Sequence, residues 1–160
     1  MERHGDMTTI ADMLKPGNVQ LKLQATTGEA AVLEVAALLR NDPEVMDWEK
    51  LYAALKLTTP CVSQPDRAFS LCLAHARSSA VTDMVMSVGR SDLGIAFGQC
   101  ADPARYLFCI GVPVALDADY LRVVGLLARI LKAPEVEAQL KEAKTPAGFV
   151  EILSRLEAKL

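Results

Sequence analysis

Apolar residues recur along the chain with two different periods, which predict a mixture of strands and helices. Residues 19–24 alternate between apolar and polar side chains, as in a strand with one buried face. Thr26 precedes Glu29 by three positions, the spacing of a capping box, and apolar residues at helical spacing then continue to about Arg40. Asp47 is placed to cap a second helix. The first third of the chain therefore predicts a strand followed by two helices.

The middle of the chain carries the remaining predicted strands. Residues 58–67 contain two prolines and predict a loop. Strands are predicted over 69–74 and 83–88, with a short strand over 93–97. The run 105–112 is almost continuously apolar, which is typical of a central strand covered on both faces.

The last third of the chain has a helical pattern. Asp117 can cap a long helix, and Pro134 and Pro146 stand where a proline in the first turn would open two further helices. The residues expected to face inward on the long helix are Leu121, Val124, Leu127, Ala128 and Leu131. Strands and helices are mixed throughout, which predicts one α/β or α+β layered domain over 10–158 after a tail over 1–9.

Composition narrows the classes of function. Apolar residues make up 51% of the 160 positions and aromatic residues only 5%, so Leu, Val and Ala must supply the core. The formal net charge is -3 and the Lys and Arg residues are dispersed, which argues against a nucleic-acid partner. No apolar run is long enough for membrane insertion and no signal peptide opens the chain, so we expect a cytoplasmic protein.

The four cysteines offer no metal or cofactor site. Cys61, Cys72, Cys100 and Cys109 include no C-x-x-C pair. Cys72 and Cys109 lie inside apolar runs, where a cysteine behaves as a small hydrophobic residue. We interpret them as buried thiols in a reducing compartment.

His75 is the candidate for chemistry. The other histidine, His4, lies in the predicted tail, whereas His75 ends a predicted strand. Imidazole can accept a proton, a metal or a phosphoryl group near neutral pH. Arg77, Ser78 and Ser79 follow it and could donate hydrogen bonds to a negatively charged group. The pattern leaves a second interpretation open, in which His75 is a partly buried residue that satisfies a backbone group.

Three stretches of the chain share their order and spacing with a known family. They are 14–23, the strand that ends in Ala74-His75-Ala76-Arg77, and 107–113 followed by Tyr120 and a Leu-rich helix. This order resembles the enzyme IIA domain of the bacterial phosphoenolpyruvate-dependent phosphotransferase system, in its fructose/mannitol and nitrogen-regulatory branch. The resemblance extends from about residue 10 to 156.

The resemblance implies a mixed sheet flanked by helices on both faces, and a role for His75. His75 matches the histidine that accepts a phosphoryl group from the small phosphocarrier HPr or its nitrogen-branch counterpart. Arg77, Ser78, Ser79 and Tyr120 are then the expected supporting residues. Tyr120 stands where the family usually has a second histidine, and a proline usually precedes the first, where this chain has alanine. A tyrosine can hydrogen-bond a phosphoryl oxygen but cannot carry a positive charge.

Two functions are therefore expected from the sequence. The first is a stand-alone enzyme IIA-like protein that is phosphorylated on His75 by an HPr-like carrier. Because the sequence contains no attached permease or enzyme IIB segment, regulation is favoured over sugar transport, with a regulatory target or enzyme IIB as further partner. The alternative, motivated by Tyr120 and Ala74, is a protein-binding module that has kept the fold and lost phosphotransfer.

Overall fold

The structure, a computed structural model, describes residues 9–57, 61–62, 71–97, 103–131 and 135–159. Only the backbone is described for Cys61, Val62, Leu116, Asp117, Asp119 and Leu131. The described strands are β1 (Val19–Gln20), β2 (Cys61–Val62), β3 (Leu71–Arg77), β4 (Val85–Ile95) and β5 (Ala104–Val112). The described α-helices are α1 (Ile10–Met13), α2 (Gly28–Ala36), α3 (Trp48–Lys56), α4 (Asp117–Leu131), α5 (Val136–Glu142) and α6 (Pro146–Ala158). Short 3-10 helices cover Pro16–Asn18, Ala37–Asn41 and Val114–Leu116.

The strands form one mixed sheet with the order β1-β4-β5-β3-β2. β5 is central and pairs in parallel with β3 and antiparallel with β4. β1 joins the far side of β4 in parallel, and β2 joins the far side of β3 antiparallel. All residues of β5 except Arg105 are buried, which confirms the prediction of a central strand covered on both faces.

Helices cover both faces of the sheet, so the predicted fold class, a mixed sheet flanked by helices on both faces, is confirmed. One core lies between the sheet and the helices α1, α4, α5 and α6, with Phe108 and Phe149 among its fully buried side chains. The other core lies between the opposite face of the sheet and α2 and α3, where Val35, Leu51 and Leu107 pack.

Two of the three predicted helix caps can be compared with the structure. The third, Asp117, is the first residue of α4, and its side chain is not described. The Asp47 side chain accepts a hydrogen bond from the backbone N–H of Lys50, which confirms it as the cap of α3. At α2 the capping residue is Thr27, which accepts from the Ala30 N–H, so the prediction of Thr26 was wrong by one residue. Both threonines have the same capping chemistry, and the backbone decides between them.

Two strand predictions also change. The alternating segment 19–24 contributes only two strand residues, although the Leu23 N–H still donates to the Arg90 carbonyl at 3.0 Å. The predicted strands over 83–88 and 93–97 are one strand, β4. Its register with β5 shifts between Arg90 and Ile95, where Gly94 has a φ of 86° that favours glycine. The irregularity lets one strand continue through Gly94 instead of ending before it.

Of the residues predicted to face inward on the long helix α4, Leu127 is buried and Val124 is half-buried, whereas the others with described side chains are not. Val123, Leu127 and Ile130 are buried, whereas Leu121 is 69% exposed and Ala128 is exposed. The apolar positions of α4 allow two overlapping stripes, and packing against the sheet selects one. No helix in the described ranges is long and apolar enough to cross a bilayer.

Some predictions fall outside the described residues. The predicted loop over 58–67 is described only at Cys61–Val62, which forms β2. Pro134 is likewise outside, while Pro146 is confirmed in the first turn of α6. The boundaries of the tail, 1–9, and of the domain, 10–158, stay predictions.

The two cysteines whose side chains are described are packing residues, as expected. Cys72 and Cys109 are completely buried in the core beneath α2 and α3. Burial raises the pKa of the Cys109 thiol to about 12, and a hydrogen bond with Ser87 opposes that rise. A thiol held in its neutral form is a poor nucleophile.

Two glycines, one buried on β4 and one exposed on α4, allow the packing to be tested. A Cβ on Gly89 would lie 2.6 Å from both methyl groups of Leu23 and 2.7 Å from a methyl group of Val35. We expect Gly89→Ala to lower the free energy of unfolding by about 1–3 kcal/mol through overpacking. A Cβ on Gly125 in α4 meets nothing within 4 Å, so Gly125→Ala should raise it by about 1 kcal/mol.

Urea unfolding followed by circular dichroism measures both variants against the wild type. An unchanged or increased stability of Gly89→Ala would contradict the close contact between β4 and the segment that precedes α2.

Candidate functional site

The register of β3 on β5 places His75 on one defined face of the sheet. His75 is paired with Ile110 in the parallel ladder. Leu73 and Leu71, two and four residues earlier, pack into the core beneath α4 and α6. Since side chains alternate along a strand, His75 shares that face. The sequence prediction of a histidine at a strand end is close, because two further residues complete β3.

The two nitrogens of the His75 ring are in different environments. The side chain is half-buried. Nδ1 is buried and has no hydrogen-bond partner among the described residues. Nε2 has no such partner either, and it is not buried. The ring nitrogen that another molecule can reach is therefore Nε2, while Nδ1 is enclosed.

Tyr120 forms one wall of the site. Its ring, in the first turn of α4, stacks against the His75 imidazole with the ring centroids 5.2 Å apart and an interplanar angle of 29°. Aromatic pairs of this kind contribute about 0.5–1.5 kcal/mol beyond the area they bury. Burial raises the pKa of the Tyr120 phenol, so the hydroxyl keeps its proton at neutral pH and can donate a hydrogen bond.

The polar residues that follow His75 differ in exposure and in hydrogen bonding. Arg77 is exposed and lies two positions along β3, on the same face as His75. Ser78 is buried, its N–H donates to the Val112 carbonyl, and its Oγ accepts from the Ala80 N–H. Ser78 therefore stabilises the turn that follows β3. The supporting roles predicted for these residues stay predictions.

Ser79 contacts a cation, Lys50, that the sequence did not indicate as part of the site. The Lys50 ammonium donates a hydrogen bond to Ser79 Oγ at 2.6 Å. Lys50 belongs to the first turn of α3, 29 residues earlier in the chain. Nothing in the local pattern distinguishes Lys50 from other exposed lysines, because only the packing of α3 against β3 brings it to this turn. It adds a positive charge close to the end of the strand that carries His75.

Exposed apolar side chains follow the central strand near the site. Val114, just after β5, is 60% exposed, and Leu121, which follows Tyr120, is 69% exposed. A contiguous patch of such side chains marks a protein-docking surface, whereas single exposed apolar residues are common on any surface. No group of three or more His, Cys, Asp or Glu side chains in the described part of the chain could hold a metal ion. The arrangement suits an imidazole nucleophile that meets another protein.

Comparison with known proteins agrees with this geometry. A family model described as "Phosphoenolpyruvate-dependent sugar phosphotransferase system, EIIA 2" matches residues 12–156. A fructose-specific EIIA component of this system from Haloferax volcanii is 28% identical over 152 residues, covering 94% of this chain and 98% of the relative.

Solved structures show the same fold. The nitrogen regulatory protein IIA-Ntr from Neisseria meningitidis has a TM-score of 0.76 at 18% identity, covering 91% of this chain and 99% of that one. Enzyme IIA-mannitol from Escherichia coli, in a complex with phosphorylated enzyme IIB-mannitol, has a TM-score of 0.70 at 19% identity, covering 89% and 97%. The family match spans nearly all of the described domain. The chain belongs to the EIIA type-2 family of the phosphoenolpyruvate-dependent sugar phosphotransferase system.

Proposed function

We propose that this protein accepts a phosphoryl group on Nε2 of His75 from an HPr-like phosphocarrier. The observation that carries the proposal is the ring of His75, which has one nitrogen open to solvent on a face bordered by Tyr120 and by exposed apolar residues. Family membership supports the reaction class. The proposal includes the phosphocarrier as the donor, His75 as the acceptor and the neighbouring polar residues as its support.

The transfer is an in-line displacement at phosphorus. The Nε2 lone pair forms the new N–P bond, the bond between phosphorus and the donor's leaving atom breaks, and the donor keeps that electron pair. For Nε2 to attack, the ring proton must be on Nδ1. The Tyr120 hydroxyl, Arg77, and Lys50 with Ser79 are the groups nearby in the fold that can donate to phosphoryl oxygens or offset their charge.

The environment of the His75 ring also supports a second candidate function. Nδ1 has no acceptor among the described residues, so nothing there stabilises the positive charge that develops on the imidazole during attack. Tyr120 cannot supply the charge of a second histidine. These two features favour the alternative of an EIIA-like protein-binding module that has lost phosphotransfer.

We further propose that the output is regulatory rather than sugar-transporting, and that it occurs in the cytoplasm. A phosphate on His75 adds a charge of about -1.5 to -2 beside exposed Leu121, which changes what the surface can bind. The partner whose binding changes would be a regulatory target protein or an enzyme IIB. The buried cysteines Cys72 and Cys109 suit a reducing compartment.

Phosphorylation on His75 can be measured directly. The protein is incubated with radiolabelled phosphoenolpyruvate, enzyme I and HPr, and we expect one acid-labile phosphate per chain, located on His75 by mass spectrometry. His75→Ala should carry none, because the nucleophile is gone. His75→Ala must keep the wild-type circular dichroism spectrum for this comparison. An unlabelled wild type, or equal labelling of the variant, would favour the binding module.

Substitutions at Tyr120 separate ring packing from donor chemistry. Tyr120→His introduces a side chain that can be cationic, and we expect it to speed labelling of His75 about tenfold or more. Tyr120→Phe keeps the stacked ring and removes the hydroxyl, so a rate drop larger than about threefold would assign a donor role to the hydroxyl. If Tyr120→His labels no faster than wild type, charge at this position does not limit transfer.

The regulatory role predicts that growth on fructose or mannitol does not depend on the gene. Deleting the gene should leave growth on fructose or mannitol as sole carbon source unchanged, because transport does not depend on this chain. Loss of growth on either sugar, restored by the wild-type gene and not by His75→Ala, would instead assign the protein to sugar uptake.

A further inference from the structure

A second polar site lies at the opposite edge of the sheet from β2. A cleft of about 860 Å³ opens between the edge strand β1 with the residues after it and the segment from α5 to the start of α6. Binding sites for small molecules commonly have volumes of about 300–1,000 Å³. The residues that line the cleft include the cations Lys22, Arg90, Lys141 and Lys144 and a single carboxylate, Glu142.

Arg90 is the fixed part of this cleft. Its Nε donates to the Leu21 carbonyl at 3.2 Å. Its Nη1 donates to three carbonyls at the end of α5, those of Leu140, Lys141 and Ala143, at 2.8, 3.2 and 2.8 Å. These bonds give the backbone carbonyls at the end of α5 a charged donor, and they hold the guanidinium in one orientation.

The charge of Arg90 is not neutralised by these contacts. All its hydrogen bonds go to neutral carbonyls, and no carboxylate among the described residues forms an ion pair with it. Nη2 has no hydrogen-bond partner in the same part of the chain and is not buried. Two guanidinium N–H donors of a rigidly held cation are therefore open to a ligand.

The three lysines that line the cleft add further unpaired positive charge around Arg90. Lys22, Lys141 and Lys144 are exposed, and none has an ion-pair or hydrogen-bond partner for its ammonium group among the described residues. A local excess of positive charge stands out in a chain whose formal net charge is -3. Unpaired ammonium groups around a fixed guanidinium attract a ligand with more than one negative group.

We propose that this cleft binds a small polyanion that carries phosphate or carboxylate groups. The anion would contact Nη2 of Arg90 and be enclosed by Lys141 and Lys144 from one side and Lys22 from the other. This site is separate from His75. Arg90 pairs with Tyr106 and His75 with Ile110, which places them four residues apart along β5, or ~13 Å, and two strand spacings, ~10 Å, across the sheet.

The test is calorimetric titration at fixed ionic strength with inorganic pyrophosphate and, separately, with citrate. We expect saturable binding of at least one of them, weakened about tenfold or more in the double variant Lys141→Gln/Lys144→Gln, which loses two charged donors. Binding of pyrophosphate alone would identify phosphate chemistry, and binding of citrate alone would identify carboxylates. Both lysines are exposed, so the variant should fold, which circular dichroism checks.

Lys159→Gln is the matched control, because it removes an exposed positive charge at the end of α6, outside the residues that line the cleft. It should bind within about twofold of the wild type, since exposed charges at a distance are largely screened. Equal weakening by Lys159→Gln and the double variant, or no binding of either anion, would overturn the proposal. Binding of an octaglutamate peptide without binding of either small anion would also overturn it, in favour of an acidic protein segment.

Discussion

The parallel ladder between β3 and β5 is the interaction on which the site depends. Seven consecutive residue pairs, from Leu71 with Tyr106 to Arg77 with Val112, fix the register of β3. A slip of one residue would turn His75 toward the core beneath α2 and α3. It would also move Ala74 and Ala76 to the face that His75 now occupies. The register is well specified because the opposite face of β3, with Cys72, Ala74 and Ala76, is buried in the core beneath α2 and α3. The position of the candidate nucleophile is thus a consequence of core packing.

The same packing makes the two nitrogens of His75 unequal. Enclosing Nδ1 without a partner costs free energy, of the order of 1–3 kcal/mol for a buried polar group. It also leaves Nε2 as the only ring nitrogen that another molecule can reach. The helix that supplies Tyr120 to the site buries Val123, Leu127 and Ile130 beneath it. One helix therefore serves the core and the site, and a change in its orientation would alter both.

Local signals were strong enough to predict several elements correctly. Asp47 before an apolar helical stripe and Pro146 in the first turn of α6 mark helix starts, because capping depends on residues within one turn. The continuous apolar run of β5 indicated its central place. Predictions were less accurate where neighbouring residues of the same type could serve equally well as a cap, a strand end or an inward-facing position. Thr27 replaced Thr26 as a cap, two predicted strands merged across Gly94, and Leu121 faces outward.

The sequence by itself determined the mixed α/β class, the central strand, and His75 as the residue to consider for chemistry. These follow from residue type and short-range periodicity. Only the tertiary structure decided that Tyr120 stacks on His75, that Lys50 reaches Ser79, and that Arg90 joins β4 to the end of α5. Each of those contacts joins residues at least 29 positions apart, and such pairs meet only after the sheet and its helices have packed. Periodicity describes which face a side chain occupies, whereas packing determines what it meets there.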